Sequence, residues 1–260
     1  MIIPYFLIVL ITFVIGFFAA KSIYRKKYKQ EASNVLNCLF IPKSGLNLVA
    51  YTIATHKTPQ LERLIESFKK SNIPLVILGY GCKWQGFGNK LLWFKEHLEK
   101  YGDNNHIALF VDAYDVVCLA SEQEIIKKFT SFKKPIIFSG EKGCHPDPSL
   151  ARHFNHINSP FRYPNSGTYI GYSKNILKML QKIYVKPHED DQLFATKYII
   201  KNPLNCGIDK RCQIFLTLYN VDKTEFIIEK NLRILLKKFK ARPCIIHGNG
   251  PSKSILNKLF

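Results

Sequence analysis

The chain has 260 residues, long enough for one large α/β domain and less comfortably for two small ones. Its hydrophobic fraction of 47% supports a proper core, and 38 Lys+Arg against 19 Asp+Glu give a formal charge of +19, which suits anionic partners such as phosphates, nucleotide sugars, acidic polymers or anionic lipid. The lysines are scattered and no nucleic-acid motif is present, so nucleic acid is not the expected partner. Seven cysteines without a C-x-x-C spacing argue against a zinc ribbon or thioredoxin-type site. Cys206 and Cys212 are close enough in sequence to pair in an oxidising compartment, but buried reduced thiols are the preferred reading.

Residues 2–20 carry no charge, and as a helix they nearly span a hydrocarbon core of about 30 Å. A cleaved signal peptide would want a charged start and a shorter apolar run. The expectation is therefore a retained anchor over 1–20, followed by a basic stalk over 21–46 and one domain over 47–260. Lys21, Arg25, Lys26, Lys27 and Lys29 follow the span directly, and the positive-inside rule then puts the domain in the cytosol.

From residue 48 the pattern alternates. The apolar run 48–54 predicts a buried strand, and 58–71 predicts a helix with Leu61, Leu64, Ile65 and Phe68 on one face. A second strand is expected over 74–80, a helix over 89–100, and a strand over 106–115 that ends in acids. A helix over 121–132 and a strand over 135–140 complete a βαβαβαβ order, which argues for a Rossmann-like, mostly parallel sheet with ligands at the carboxyl ends of its strands.

Four segments carry candidate chemistry. Asp112 and Asp115 stand at the tip of a buried strand, where two like charges call for a cation; hard oxygen ligands suit Mn²⁺ or Mg²⁺ holding a substrate diphosphate, and a strand-end turn capped by acids is the plainer reading. In CIIHGNGPSK an apolar strand delivers His247, Gly248 and Gly250 permit close backbone approach to a ligand, and Lys253 is placed to reach a phosphate. Asp190 and Asp191 crowd the start of an apparent helix, as caps or as an acceptor-side base. NSGTYIG, from Asn165, reads as a polar turn before a short strand that could touch a sugar. His145 and Asp147 with His247 also spell an iron triad, as in 2-oxoglutarate oxygenases, but the strand–helix alternation is wrong for that fold.

Taken in order, VDAYDVV, WQGFGNK, NSGTYIGY, DDQLFATK, IDKRCQIF and HGNGPSK resemble the N-terminal glycosyltransferase domain of the multifunctional procollagen lysyl hydroxylases, from about residue 47 to 260. The resemblance implies a GT-A-type nucleotide-sugar fold and a hexosyltransferase that uses UDP-glucose or UDP-galactose. It implies that Asp112, Asp115 and His247 bind Mn²⁺, that Tyr114 stacks on uracil and that Thr55 lies near the nucleotide. Trp84 and Lys90 would belong to a loop over the diphosphate and sugar, Lys253 would approach the phosphates, and Asp190 and Asp191 would face the acceptor. The implied acceptors are hydroxylysine and galactosyl-hydroxylysine in collagen-like protein, in an endoplasmic reticulum or Golgi-type membrane, although the charge after residue 20 is the reverse of that usual in lumenal glycosyltransferases. His145, where the family tends to carry an aromatic, and the acidic run beginning His188-Glu189 are departures on the acceptor side. An inactive, membrane-tethered scaffold is the non-enzymatic alternative.

Overall fold

The structure is a computed structural model and describes residues 47–101 and 106–260. The expected anchor and stalk lie outside the described residues, and among those described no helix is long and apolar enough to cross a membrane.

Strand β1 (Leu48–Ile53) is buried along its whole length and sits between two parallel neighbours, β2 (Leu75–Leu78) and β3 (Ile107–Val111). Its side chains alternate between faces, as a strand covered on both sides requires. Leu48 and Ala50 join one core cluster with Leu64, Phe68 and Leu109; Val49, Tyr51 and Ile53 join another with Phe94, Phe110, Phe138 and Tyr169. Phe94, with no exposed surface, is a position where truncation to Ala would cost about 3–5 kcal/mol.

Helix α1 (Pro59–Lys70) starts where Thr58 caps it, its hydroxyl accepting from Leu61 N at 3.1 Å with Pro59 in the first turn. It buries Leu61, Leu64 and Phe68 on the predicted face, and it stops before Asn72, whose φ of 55° is left-handed. Helices α2 (Gly88–Tyr101) and α3 (Glu122–Ser131) follow the expected pattern within a residue or two, α3 being capped by Ser121. Between β3 and α3 the chain forms the three-residue strand β4 (Val116–Cys118), too short to show a period in sequence. After β5 (Ile136–Glu141) come β6 (Tyr163–Tyr172), α4 (Ser173–Lys182), α5 (Asp191–Lys201), β7 (Cys206–Asp209), β8 (Phe215–Thr217), the hairpin β9 (Phe226–Ile228) and β10 (Ile234–Leu236), β11 (Ile245–His247) and α6 (Lys253–Leu259).

The main sheet has the order β2-β1-β3-β6-β5-β7. It is parallel-rich, as expected, but β6 runs antiparallel to both β3 and β5 and separates them. The segment 165–172, read as a turn and a short strand, is the body of this ten-residue strand. Its polar and glycine residues conceal it, because the strand is covered on both faces and one of those faces lines the site. A second sheet, β4-β11-β8, pairs β11 antiparallel to β4 with Val116 opposite His247. Asp209 fixes the turn into β8: its buried carboxylate accepts from the backbone N–H groups of Gln213, Ile214 and Phe215 at 2.7–2.9 Å. Cys206 and Cys212 are both free and buried, so they do not form the disulfide considered from sequence.

Candidate active site

A cleft of about 550 Å³ opens where β3, β6 and β11 end or pass close to one another. Asp112 leaves the end of β3, and its backbone N–H donates to Gly167 O at 2.8 Å. Asp115 precedes β4, and the register of β4 against β11 brings it beside His247; Gly248 N donates to Asp115 O at 2.8 Å. One ligand atom from each of Asp112, Asp115 and His247 falls within a 4.8 Å cluster. His247 Nε2 faces both carboxylates, 3.4 Å from Asp115 Oδ1 and 3.7 Å from Asp112 Oδ2, while Nδ1 is buried without a partner.

The electrostatics of this cluster are those of a cation site. Burial pushes the Asp112 carboxyl above its ordinary range, against the pull of Lys90 and with the push of Asp115. Burial alone would do the same to Asp115, but His247 and then Lys253 hold it at about 2. Burial disfavours a charged His247, yet Asp115 and Asp112 prevail and raise its pKa. A proton on His247 thus stands between two carboxylates where a cation would serve better. Two carboxylate oxygens and one imidazole nitrogen are a donor set that fits Mn²⁺ or Mg²⁺.

Gly167 explains how the three groups can be so close. A Cβ there would collide with His247 Cε1 and lie 2.6 Å from Asp112 Oδ2, so β6 passes the cluster only as bare backbone. Nothing in the spacing of NSGTYIGY singles out this glycine; its value lies in contacts with residues 55 and 80 positions away.

Lys90 is set deeper than a helix lysine usually is. It lies in the first turn of α2, within the helix expected over 89–100, but is only 7% exposed. Its ammonium is 2.9 Å from Asp112 Oδ1 and 2.8 Å from Asp191 Oδ2, a buried bridge between the cation cluster and the helix that carries the acidic pair. Desolvation lowers the Lys90 pKa, but Asp112 and Asp191 outweigh it and raise it above the ordinary lysine value. Of the acidic pair, Asp190 is the N-cap of α5, accepting from Leu193 N at 2.8 Å, whereas Asp191 is buried and paired with Lys90. Both line the cleft.

Lys253 reaches in from α6, 3.3 Å from Asp115 Oδ2, and Gly250 lines the rim with a left-handed φ of 57°. Asn165 lines the cleft and locks β6 locally, accepting from Gly167 N and donating to Gln192 Oε1. Four expected residues fall elsewhere. Gly248 backs onto α6, where a Cβ would sit 2.7 Å from Leu256 Cβ, so its smallness serves packing. Trp84 is 41% exposed and packs edge-on against Phe87 and Trp93; Phe87, not Trp84, lines the cleft, beneath the Lys90 ammonium. Thr55 and Tyr114 do not line this cleft; they meet through His56, whose Nδ1 is 3.0 Å from Thr55 Oγ1 and whose ring centroid is 5.7 Å from that of Tyr114.

Glu141 went unnoticed in the sequence. It ends β5 at 1% exposure, where Oε1 accepts from Gln192 Nε2 at 2.7 Å and Oε2 from Asn249 Nδ2 at 2.8 Å. Burial raises its pKa to about 7 against those hydrogen bonds, so near neutrality it can either hold or take a proton. A charge closing an apolar run was the available signal. The iron-triad alternative finds no support: His145 lines the cleft beside Tyr219 but stands outside the cation cluster, and Asp147 caps a 3₁₀ turn through Ser149 N.

The family described as the PLOD GT domain matches residues 44–260. The chain is 36% identical over 230 residues to a multifunctional procollagen lysine hydroxylase and glycosyltransferase of Caenorhabditis elegans, covering 82% of this chain and 32% of that protein. Against the human LH3 protein of that description it is 32% identical over 233 residues, covering 84% and 32% respectively. The chain therefore spans about a third of the length of these relatives. Among solved structures, a glycosyltransferase involved in glycosylation of the major capsid of PBCV-1 aligns over 82% of this chain and 99% of its own at 10% identity and a TM-score of 0.45.

Proposed function

The chain belongs to the PLOD glycosyltransferase-domain family, and from that premise we propose that it is a divalent-metal-dependent hexosyltransferase of GT-A type. It transfers glucose or galactose from the UDP-sugar to hydroxylysine or galactosyl-hydroxylysine in a collagen-like protein. The observation that carries the reading is the Asp112–Asp115–His247 cluster in a cleft that Asp191 and Glu141 also line. Residues 2–20 anchor the protein to an endoplasmic reticulum or Golgi-type membrane.

Asp112, Asp115 and His247 would hold the Mn²⁺, which would supply positive charge to neutralise the departing diphosphate. Lys253, with its side chain 57% exposed, is free to turn from Asp115 to a phosphate oxygen. Thr55, His56 and Tyr114 form the adjoining platform for the base, and Gly250 lets the rim approach the diphosphate. Asn165 and Gln192 orient sugar hydroxyls. Lys90 carries no phosphate in this scheme; it fixes Asp191 relative to the donor side. The acceptor hydroxyl gives up its proton to Glu141 or Asp191, with Asp190 and His145 shaping the entrance.

The test is UDP release by purified protein with Mn²⁺, a panel of UDP-sugars and a hydroxylysine peptide. Activity should vanish with chelator, return with Mn²⁺ and be lost in Asp112→Asn and Asp115→Asn without unfolding. Chelator-resistant turnover would overturn the metal assignment. Tight Mn²⁺ and UDP binding with no turnover on any donor would instead identify a non-catalytic scaffold.

A further inference from the structure

Strands β8 and β11 run parallel, and both finish at the cleft just described; both start at a second cavity, of about 440 Å³. Its walls carry four cationic side chains, Lys128, Arg211, Lys240 and Arg242, against a single carboxylate, Glu124. That carboxylate is already committed. It takes a two-pronged bond from Arg233 at 2.7 and 2.9 Å and another from Lys128 at 2.6 Å. Arg242 is likewise held, by Glu229 at 2.7 and 2.8 Å. Arg233 and Glu229 bring one charge of each sign, so the excess of positive charge is not relieved by them.

Arg211 and Lys240 are left. Neither forms an ion pair among the described residues, and both are exposed at the mouth of the cavity. The Arg211 guanidinium lies over the Phe239 ring, 5.8 Å from its centroid, which restrains its plane while its N–H groups stay available. Gln213 adds a side-chain amide to the same wall. A restrained guanidinium, an ammonium on the same wall and an amide match a tetrahedral oxyanion.

We propose that this cavity is a second, metal-independent anion site, which takes a phosphate or sulfate group through Arg211 and Lys240. It does not depend on the reading of the first cleft, and nothing at the cation cluster contributes to it.

The probes are inorganic phosphate and inorganic sulfate, titrated calorimetrically into the full chain without added metal. The expected result is saturable binding that Arg211→Gln with Lys240→Gln weakens by about tenfold or more, the effect of losing charge-assisted hydrogen bonds. Arg211→Lys, which keeps the charge and loses the fork, should fall between. Both side chains are exposed, so an unchanged thermal midpoint checks that the variants are folded. Lys253→Gln separates this site from the first cleft and should leave binding intact. The proposal is overturned if neither probe binds at about 10 mM, which would fill any millimolar site. It is equally overturned if the double variant binds within about twofold of wild type, if Lys253→Gln removes the binding, or if a control pair on α1, Lys69→Gln with Lys70→Gln, loses as much, since unspecific attraction would do that.

Discussion

Replacing Lys90 by methionine tests the electrostatic design of the cleft. The substitution keeps the length and apolar stem of the side chain and removes one charge that lies 2.9 Å from Asp112 and 2.8 Å from Asp191. Asp191 is 4% exposed and has no second cationic neighbour within ion-pair distance among the described residues. Removing one partner of a buried pair typically costs about 3–5 kcal/mol, chiefly because the other is left charged and desolvated. For a domain of this size that is on the order of a 10 °C fall in midpoint. The sign with pH is fixed by the same cause. Without the ammonium, nothing from Lys90 opposes the burial that already raises the Asp112 pKa, so protonation there relieves the strain; the loss should be large at pH 8 and smaller at pH 5. Mn²⁺ should restore part of the stability, because it brings positive charge back to Asp112. Thermal melts at both pH values, with and without Mn²⁺, make the measurement. If Lys90 instead grips the diphosphate, Lys90→Met would melt within about 1 kcal/mol of wild type at both pH values, the size of a surface pair, and would lose UDP affinity; that pattern would refute the bridge.

Gly167→Ala should leave the fold in place and weaken Mn²⁺ binding at least tenfold, by calorimetry, because the added methyl must displace the His247 ring or the Asp112 carboxylate. Glu141 has its pKa raised from 4.5 to about 7, so its ionisation costs folding energy as pH rises through that window, up to about 3 kcal/mol. Glu141→Gln removes that slope but sets its own amide donors against those of Gln192 and Asn249; relative to wild type it should be less stable at pH 5 and recover by pH 8 in urea titrations, and an identical deficit at both would disprove the burial argument. Asp190→Ala should lose about 1 kcal/mol as a missing cap, and Asp190→Asn should restore it. If Asp190→Asn keeps stability but loses transfer, Asp190 has a role beyond capping.

Much of this was readable before any coordinates, for identifiable reasons. Apolar runs such as 48–54 and the helical face of 58–71 are long enough to show their period, and they became β1 and α1. The pairing of VDAYD with HGNGPSK was recognisable only through the set of six motifs, because β4 and β11 are three residues each and carry no periodic signal. The antiparallel insertion of β6 was hidden by its asparagine, serine, threonine and glycines, of which Asn165, Ser166 and Gly167 line the cleft. The burial of Lys90 is not legible in the predicted helix 89–100, because a lysine on a helix is ordinarily solvated; only the long-range approach of Asp112 and Asp191 makes it tolerable. Glu141 and Gln192 acquire meaning from each other, across 51 residues of chain.

The pairing of Val116 with His247 also has a consequence in time. Asp112 and Asp115 reach the end of their strand early in synthesis, yet the third member of the cluster arrives only after β5, β6, β7 and β8 have been made. Closing so long a loop is an entropic cost that the rest of the sheet must cover first. Acquisition of Mn²⁺ should therefore be a late event in refolding, and a metal-sensitive signal would serve as a clock that strikes only when the whole domain has come together.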